Sequence, residues 1–247
     1  MALYFVGESG AEYIARVFRQ LIQGFFERLP SQCMVCHAWP ARPVCDVCVS
    51  EFAQPSPRCT TCARLLTVDQ PQCGACVVAA PPLDACLAAV PYAYPWSTLI
   101  ADFKFRQHPG WAASFARLMR ATPWVEPALD ATHLLIPMPL SRQRLRERGY
   151  NQAHVLASAL DASKVNNTIL LRTKDTPPQR TLSRNERLRA VEHAFAVDPL
   201  KIHLLAHRRV MLIDDVMTSG ASLHAAARAL RGADAAHVSA LVLARTE

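Results

Sequence analysis

The stretch Val210-Met211-Leu212-Ile213-Asp214-Asp215-Val216-Met217-Thr218-Ser219-Gly220-Ala221-Ser222 decides how this chain folds. Its first four residues form an unbroken apolar run, the pattern of a strand buried on both faces of a parallel sheet. Two adjacent carboxylates, Asp214 and Asp215, then arrive at the strand's exposed end. A short turn follows, Thr218-Ser219-Gly220, with two hydroxyls and the one residue type that tolerates unusual backbone angles. From Ala221 the pattern is helical, so unpaired backbone N–H groups and the positive end of the helix dipole face the turn. Such an assembly binds a phosphate, and paired carboxylates beside it suit ribose hydroxyls, directly or through a divalent cation. The same residues also suit a plain acidic strand end in which Ser219 caps the next helix.

Working outward, Leu134-Leu135-Ile136 and residues 238–243 repeat the continuous apolar pattern. Strands are expected at 87–94, 133–137, 168–171, 209–214 and 237–244, with helices at 96–106, 151–162 and 221–231. This alternation predicts an α/β fold over residues 83–247, a mostly parallel sheet with helices on both faces. Its ligand site is expected at the carboxyl ends of the strands.

Composition narrows the function. Of 247 residues, 51% are hydrophobic and 19% charged, which supports a packed core and excludes a disordered chain. The 8 glycines complete neither a G-x-G-x-x-G nor a G-x-x-x-x-G-K-[ST], so the dinucleotide and Walker A fingerprints are absent. No H-E-x-x-H occurs, and no apolar run approaches the ~18 residues of a membrane span. The net charge is +7, and 23 of the 27 basic residues are Arg, the better partner for phosphates. Arg142, Arg144, Arg146 and Arg148 concentrate that surplus in seven residues, a pattern that fits a polyanion or a solvated basic loop.

The nine cysteines are not scattered. Cys33/Cys36, Cys45/Cys48, Cys59/Cys62 and Cys73/Cys76 are four consecutive C-x-x-C pairs, where chance placement gives about 0.3. Two thiolates three residues apart present both sulfurs to one metal, so two pairs complete a tetrahedral zinc site. Four pairs predict two structural zincs in a double ribbon over residues 31–82, with sequential pairing as the default. The segments between them are too short to bury a core, so metal binding would supply much of their folding free energy. Cys86 is left over as a core cysteine, and His37 reads as a surface residue rather than a substitute ligand.

Residues 1–30 are expected to contain an amphipathic helix at 13–29, with apolar pairs from Tyr13/Ile14 to Phe25/Phe26 docked on the rest of the protein. Glu8 and Glu12 stand where a secretory leader would be basic, so the expected compartment is the cytoplasm, where thiols stay reduced.

The 213–222 segment resembles the phosphoribosyl-pyrophosphate signature of type I phosphoribosyltransferases. With an N-terminal double zinc ribbon, the chain is similar to the ComF/GntX family of competence-associated proteins. Ile136-Pro137-Met138-Pro139-Leu140, Arg148-Gly149-Tyr150-Asn151-Gln152 and Phe103-Lys104-Phe105 resemble further stretches of that family. So does the segment from Arg172 through Thr176-Pro177-Pro178-Gln179 to Arg187.

The resemblance implies that Asp214 and Asp215 contact ribose hydroxyls, while Thr218, Ser219, Gly220, Ala221 and Ser222 hold the 5′-phosphate. It implies that the Pro137-Met138-Pro139 turn holds pyrophosphate near Mg²⁺, through backbone groups that a strained or cis peptide aims. Arg148, Asn151, Gln152 and Lys104 complete the implied ligand set, Asn151 being equally suited to cap a helix and Lys104 to lie along the surface. Residues 172–189 would form a mobile lid that keeps water from the ribosyl centre, although Ala190 and His193 depart from the family's usual Asn and Gly. The implied function is binding of phosphoribosyl pyrophosphate with Mg²⁺ and transfer to an unidentified acceptor. The alternative is a non-catalytic adaptor that binds nucleotide or single-stranded DNA beside DNA-uptake proteins.

Overall fold

A computed structural model describes residues 31–68, 70–106, 108–173 and 194–247. The expected N-terminal helix and nearly all of the expected lid lie outside these residues. The chain divides into two compact units, 1–49 and 50–247.

Each unit contains one four-cysteine cluster, and both clusters are built by the same local device. In the first, the backbone N–H of His37 donates to the Cys33 carbonyl (2.9 Å), and His37 has φ 61°. In the second, the N–H of Ala63 donates to the Cys59 carbonyl (2.8 Å), and Ala63 has φ 56°. These turns hold one C-x-x-C pair each. The other pair of each cluster lies at the start of a short helix, α1 (Asp46–Phe52) or α2 (Gly74–Val78).

Beyond the second cluster the order is β1 (Ala85–Pro91), α3 (Trp96–Phe105), α4 (Trp111–Arg120), α5 (Val125–Asp130), β2 (Leu134–Pro137), α6 (Arg142–Arg148) and α7 (Gln152–Asp161). Then come β3 (Leu170–Arg172), β4 (Phe195–Val197), β5 (Arg209–Met217), α8 (Ala221–Gly232) and β6 (His237–Arg245). Strands β1, β6, β5 and β2 lie side by side in that order, all parallel, as the apolar runs predict.

Alternation along the strands explains why both faces are covered. Ile136, Val210, Leu212, Val238, Ala240 and Val242 join a cluster with Leu223, Ala226, Ala227 and Leu230 of α8. Leu135, Met211, Ile213, Leu241 and Leu243, equally buried, point to the opposite face, where α7 packs on β2 and β5.

Three expectations need correction. The strand expected at 168–171 is not in the parallel sheet; β3 pairs antiparallel with β4 in a separate ribbon. The arginine run is the helix α6, closed at its start by Ser141, whose Oγ accepts from the Arg144 N–H (3.2 Å). It has no buried residues, so no apolar periodicity announced it. Finally, β5 does not stop at Asp214, because Asp214, Val216 and Met217 keep pairing with Val242, Ala244 and Arg245 of β6. The carboxylates are uncovered for a different reason: β2 ends at Pro137, opposite Ile213, and leaves that edge of β5 open.

Candidate functional site

That open edge is the floor of a pocket of about 340 Å³, lined by residues from β5, α3, α6, α7 and the start of α8. The floor carries the acidic pair. The Lys104 ammonium, from the last turn of α3, lies 2.8 Å from Asp215 Oδ1, with both side chains largely buried. Lys104 is therefore neither a lysine lying along the surface nor an unpaired cation; it neutralises one of two adjacent acids. Among the described residues Asp214 has no such ion pair of its own. Its Oδ1 accepts from the Asp215 backbone N–H (2.9 Å). Burial, followed by the Asp215 charge, raises its pKa to about 7. Paired acids push one proton affinity up when only one of them is neutralised.

The turn after β5 forms the next wall, with Thr218, Ser219, Gly220, Ala221 and Ser222 all facing the pocket. Gly220 has φ 80°, and a Cβ there would lie 2.5 Å from Met217 Cε and 2.9 Å from His224 Nε2. Only glycine fits this turn. Ser219 Oγ accepts a long bond from the Ala221 N–H (3.4 Å), so helix capping is weak here. The first amides of α8 accordingly face the pocket with no intrahelical partners. His224, one turn into the helix, is held neutral: burial and then the charges of Arg228 and Arg245 lower its pKa to about 4.

The third wall joins the end of β2 to α6 and α7. Met138 and Pro139 line it; Pro137 lies behind, within the sheet. Among the described residues, cis peptides occur only before Pro40 and Pro95, so of the strained or cis peptide suggested for residues 137–139 the cis form is not found. The turn is held instead by hydrogen bonds: the Met138 N–H donates to the Ile213 carbonyl (2.9 Å), and its own carbonyl accepts from Asn151 Nδ2 (3.0 Å). Asn151 also caps α7, its Oδ1 accepting from the His154 N–H (3.2 Å). Both ends of its amide are therefore engaged, and Asn151 itself lines the pocket. Gln152 Oε1 accepts from Arg148 (3.0 Å) and so orients that guanidinium.

Of the four clustered arginines, only Arg144 and Arg148 line the pocket. Helical spacing explains the selection, since residues four apart share a face and Arg142 and Arg146 belong to another. The Arg148 guanidinium lies over the Phe105 ring, 5.3 Å from its centroid. Tyr92, Phe105 and Arg172 also line the pocket; Arg172 is the first residue of the segment expected to form the lid, and the other two are not marked as site residues by the sequence. Phe105 follows Lys104 directly in the Phe-Lys-Phe stretch, the one signal that could have found it. Tyr92 lies just beyond β1 and carries no motif.

The cysteine clusters fit a metal. Tetrahedral Zn–S bonds of ~2.3 Å require sulfurs about 3.8 Å apart. The separations are 3.8 Å for Cys33–Cys48, 3.6 Å for Cys36–Cys45 and 3.7 Å for Cys62–Cys73. In each cluster all four sulfurs lie within 4.8 Å of one another, in the sequential pairing. Burial acts to raise the thiols of Cys33 and Cys59, but backbone N–H donors outweigh it and bring both to about 6. A thiolate is thus favoured in each cluster before any metal arrives. His37 is exposed and outside the first cluster, and Cys86 is fully buried, pushed up to about 12 by burial.

A parallel sheet whose acidic strand runs into a glycine-hinged turn at a helix N-terminus defines a phosphoribosyltransferase-fold domain, and residues 145–247 match the family model described as phosphoribosyl transferase domain. The chain is 33% identical over 197 residues to "Competence protein F" of Haemophilus influenzae, covering 76% of this chain and 84% of that one. It is 28% identical over 230 residues to "DNA utilization protein YhgH" of Escherichia coli K12, covering 88% and 98%. It is 37% identical over 118 residues to "Competence protein ComFC" of Bacillus subtilis, covering 47% and 46%. The chain belongs to the ComF/GntX family. No helix among the described residues is long and apolar enough to cross a membrane.

Proposed function

We propose that the pocket binds phosphoribosyl pyrophosphate with Mg²⁺ and that the protein transfers the phosphoribosyl group to an acceptor, releasing pyrophosphate. The observation that carries this reading is the meeting, in one pocket, of an acidic pair, a glycine-hinged turn and two arginines on one helix face. The turn's backbone amides would hold the 5′-phosphate, and Asp214 and Asp215 would accept hydrogen bonds from the ribose hydroxyls. Arg144 and Arg148 would neutralise the pyrophosphate as the C1–oxygen bond breaks. Positive charge then develops on the ribose ring, which the acidic floor favours. No covalent nucleophile is needed, because positioning and charge neutralisation suffice. Bound Mg²⁺ would supply further charge neutralisation on the pyrophosphate, and the donor set suits it: hard carboxylate oxygens, one of them without a cation of its own.

A second reading is favoured by the aromatic rings of Tyr92 and Phe105 beside Arg144 and Arg148 in the lining. Rings interleaved with guanidinium groups also suit a nucleotide or single-stranded DNA, in keeping with the names of the relatives. Calorimetry separates the two. The transferase reading expects Mg²⁺-dependent binding of phosphoribosyl pyrophosphate that is lost when both acids become amides. The adaptor reading expects DNA binding that survives that change and falls steeply with salt.

A further inference from the structure

Arg245, the last residue of β6, is buried to 5% exposure and carries a charge, yet no carboxylate pairs with it among the described ion pairs. Its guanidinium contacts four backbone carbonyls. Nε reaches Cys62 O (3.1 Å), inside the second cysteine cluster. One terminal nitrogen reaches Thr218 O (2.6 Å) in the pocket turn, and also Met217 O (3.3 Å). The same nitrogen bonds the carbonyl and hydroxyl of Thr246. One side chain therefore holds a metal-ligand knuckle with one edge of its fork and the pocket turn with the other.

Neighbouring contacts make the connection stiff. The Thr246 N–H donates to Met217 O (3.0 Å), extending the β5–β6 pairing up to the turn. Glu247 receives Arg58 (3.1 Å) and the Leu65 N–H (3.0 Å), both from the cluster's own chain segment. The Cys86 N–H donates to Thr60 O (2.8 Å), and Cys86 Sγ lies 3.6 Å from Met217 Sδ. Burying a guanidinium against neutral carbonyls alone is costly. Four thiolates around one divalent ion carry a net charge of about −2. A charge of that sign next to Cys62 adds to the Glu247 carboxylate in offsetting the burial of Arg245.

We propose that Arg245 is a positioning residue that couples the second cysteine cluster to the pocket turn, so that metal in Cys59, Cys62, Cys73 and Cys76 fixes the geometry of residues 218–222. A lysine cannot substitute, because a single ammonium lacks the fork that spans both carbonyls. The consequence for ligand affinity rests on the phosphoribosyl reading; the coupling itself does not.

The test is hydrogen exchange of the full chain, zinc-loaded and zinc-stripped, for the wild type and Arg245→Lys. In the wild type, stripping should speed exchange of the two amides that close on the turn, His224 (to Gly220 O, 2.8 Å) and Thr246 (to Met217 O, 3.0 Å), by about tenfold or more, while those at 210–213 in β5 keep their protection. In Arg245→Lys the turn should already exchange fast with zinc bound, and stripping should add little. That non-additivity is the signature of one shared linkage. Turn amides indifferent to zinc in the wild type would overturn the proposal. So would an Arg245→Lys protein that responds to stripping as the wild type does, or acceleration of turn and β5 together. If Arg245→Lys fails to fold, the wild-type comparison alone decides. Calorimetry on the same samples keeps the two readings apart. A coupled turn with no affinity for phosphoribosyl pyrophosphate would refute the ligand and leave the assignment of Arg245 standing.

Discussion

Replacing Asp214 by Asn should make the ligand-free protein more stable at alkaline pH and leave it unchanged in acid. In the folded chain the Asp214 carboxyl titrates at about 7 instead of 3.8, first because it is buried and second because Asp215 is charged beside it. The folded state therefore holds this proton more tightly than the unfolded state. Between those two values the folded protein binds more protons, so its stability falls as pH rises, and above pH 7 the full penalty is present. Three units correspond to about 4 kcal/mol at most. The carboxylate opens partly onto the pocket, and water there brings the expected penalty down to about 2 kcal/mol. Asn keeps the volume and the oxygen that accepts the Asp215 N–H, and it removes the charge. Denaturant unfolding of the zinc-loaded, ligand-free chain at pH 8 should show Asp214→Asn more stable by about 2 kcal/mol, or ~4–8 °C in Tm. Near pH 4 the two proteins should coincide. Equal stability at pH 8, or an equal gain at both pH values, would refute the argument that an unneutralised carboxylate sits at the pocket floor.

Three further outcomes follow from the same geometry. Gly220→Ala should destabilise the chain by roughly 1–3 kcal/mol, since it forces a Cβ into a left-handed turn and against Met217 and His224; unchanged unfolding would mean that the turn is not held there. Arg144→Ala with Arg148→Ala should weaken phosphoribosyl pyrophosphate binding by about a hundredfold, whereas Arg142→Ala with Arg146→Ala should leave it within about twofold. Calorimetry on both pairs checks the choice of helix face. Metal analysis of protein purified without added zinc should return about two ions per chain, one for each four-cysteine cluster; a folded protein with none would remove the zinc assignment.

How far the sequence carried depended on whether a residue's role was local. The β5 run, the acidic pair and the glycine turn are contiguous, so strand burial, turn chemistry and helix start are all legible within 13 residues. The cysteine pairs were legible for the same reason. Helix α4 carries a legible signal outside the expected helices: Trp111, Ala112, Phe115, Ala116 and Met119 form one buried stripe. Helix α6 had no such stripe to find. Strand β4 is three residues long and exists only through its pairing with β3, a contact no window contains. Lys104 meets Asp215 across more than a hundred residues, and the motif marked the lysine without indicating what it neutralises. Arg245 was the least visible of all. It ends an apolar strand like any solvent-seeking arginine, and only the fold shows its fork between Cys62 and Thr218.

The acidic pair and the glycine-hinged turn are the proposed site for a phosphoribosyl ligand. The most direct measurement is isothermal calorimetry of the zinc-loaded chain with phosphoribosyl pyrophosphate, with and without Mg²⁺, beside Asp214→Asn/Asp215→Asn. One ligand per chain should bind, only with Mg²⁺; the double variant should remain folded, though less stable for the loss of the Lys104 partner, and bind at least about a hundredfold more weakly. Absence of binding by the wild type, or equal affinity in the double variant, would contradict this site.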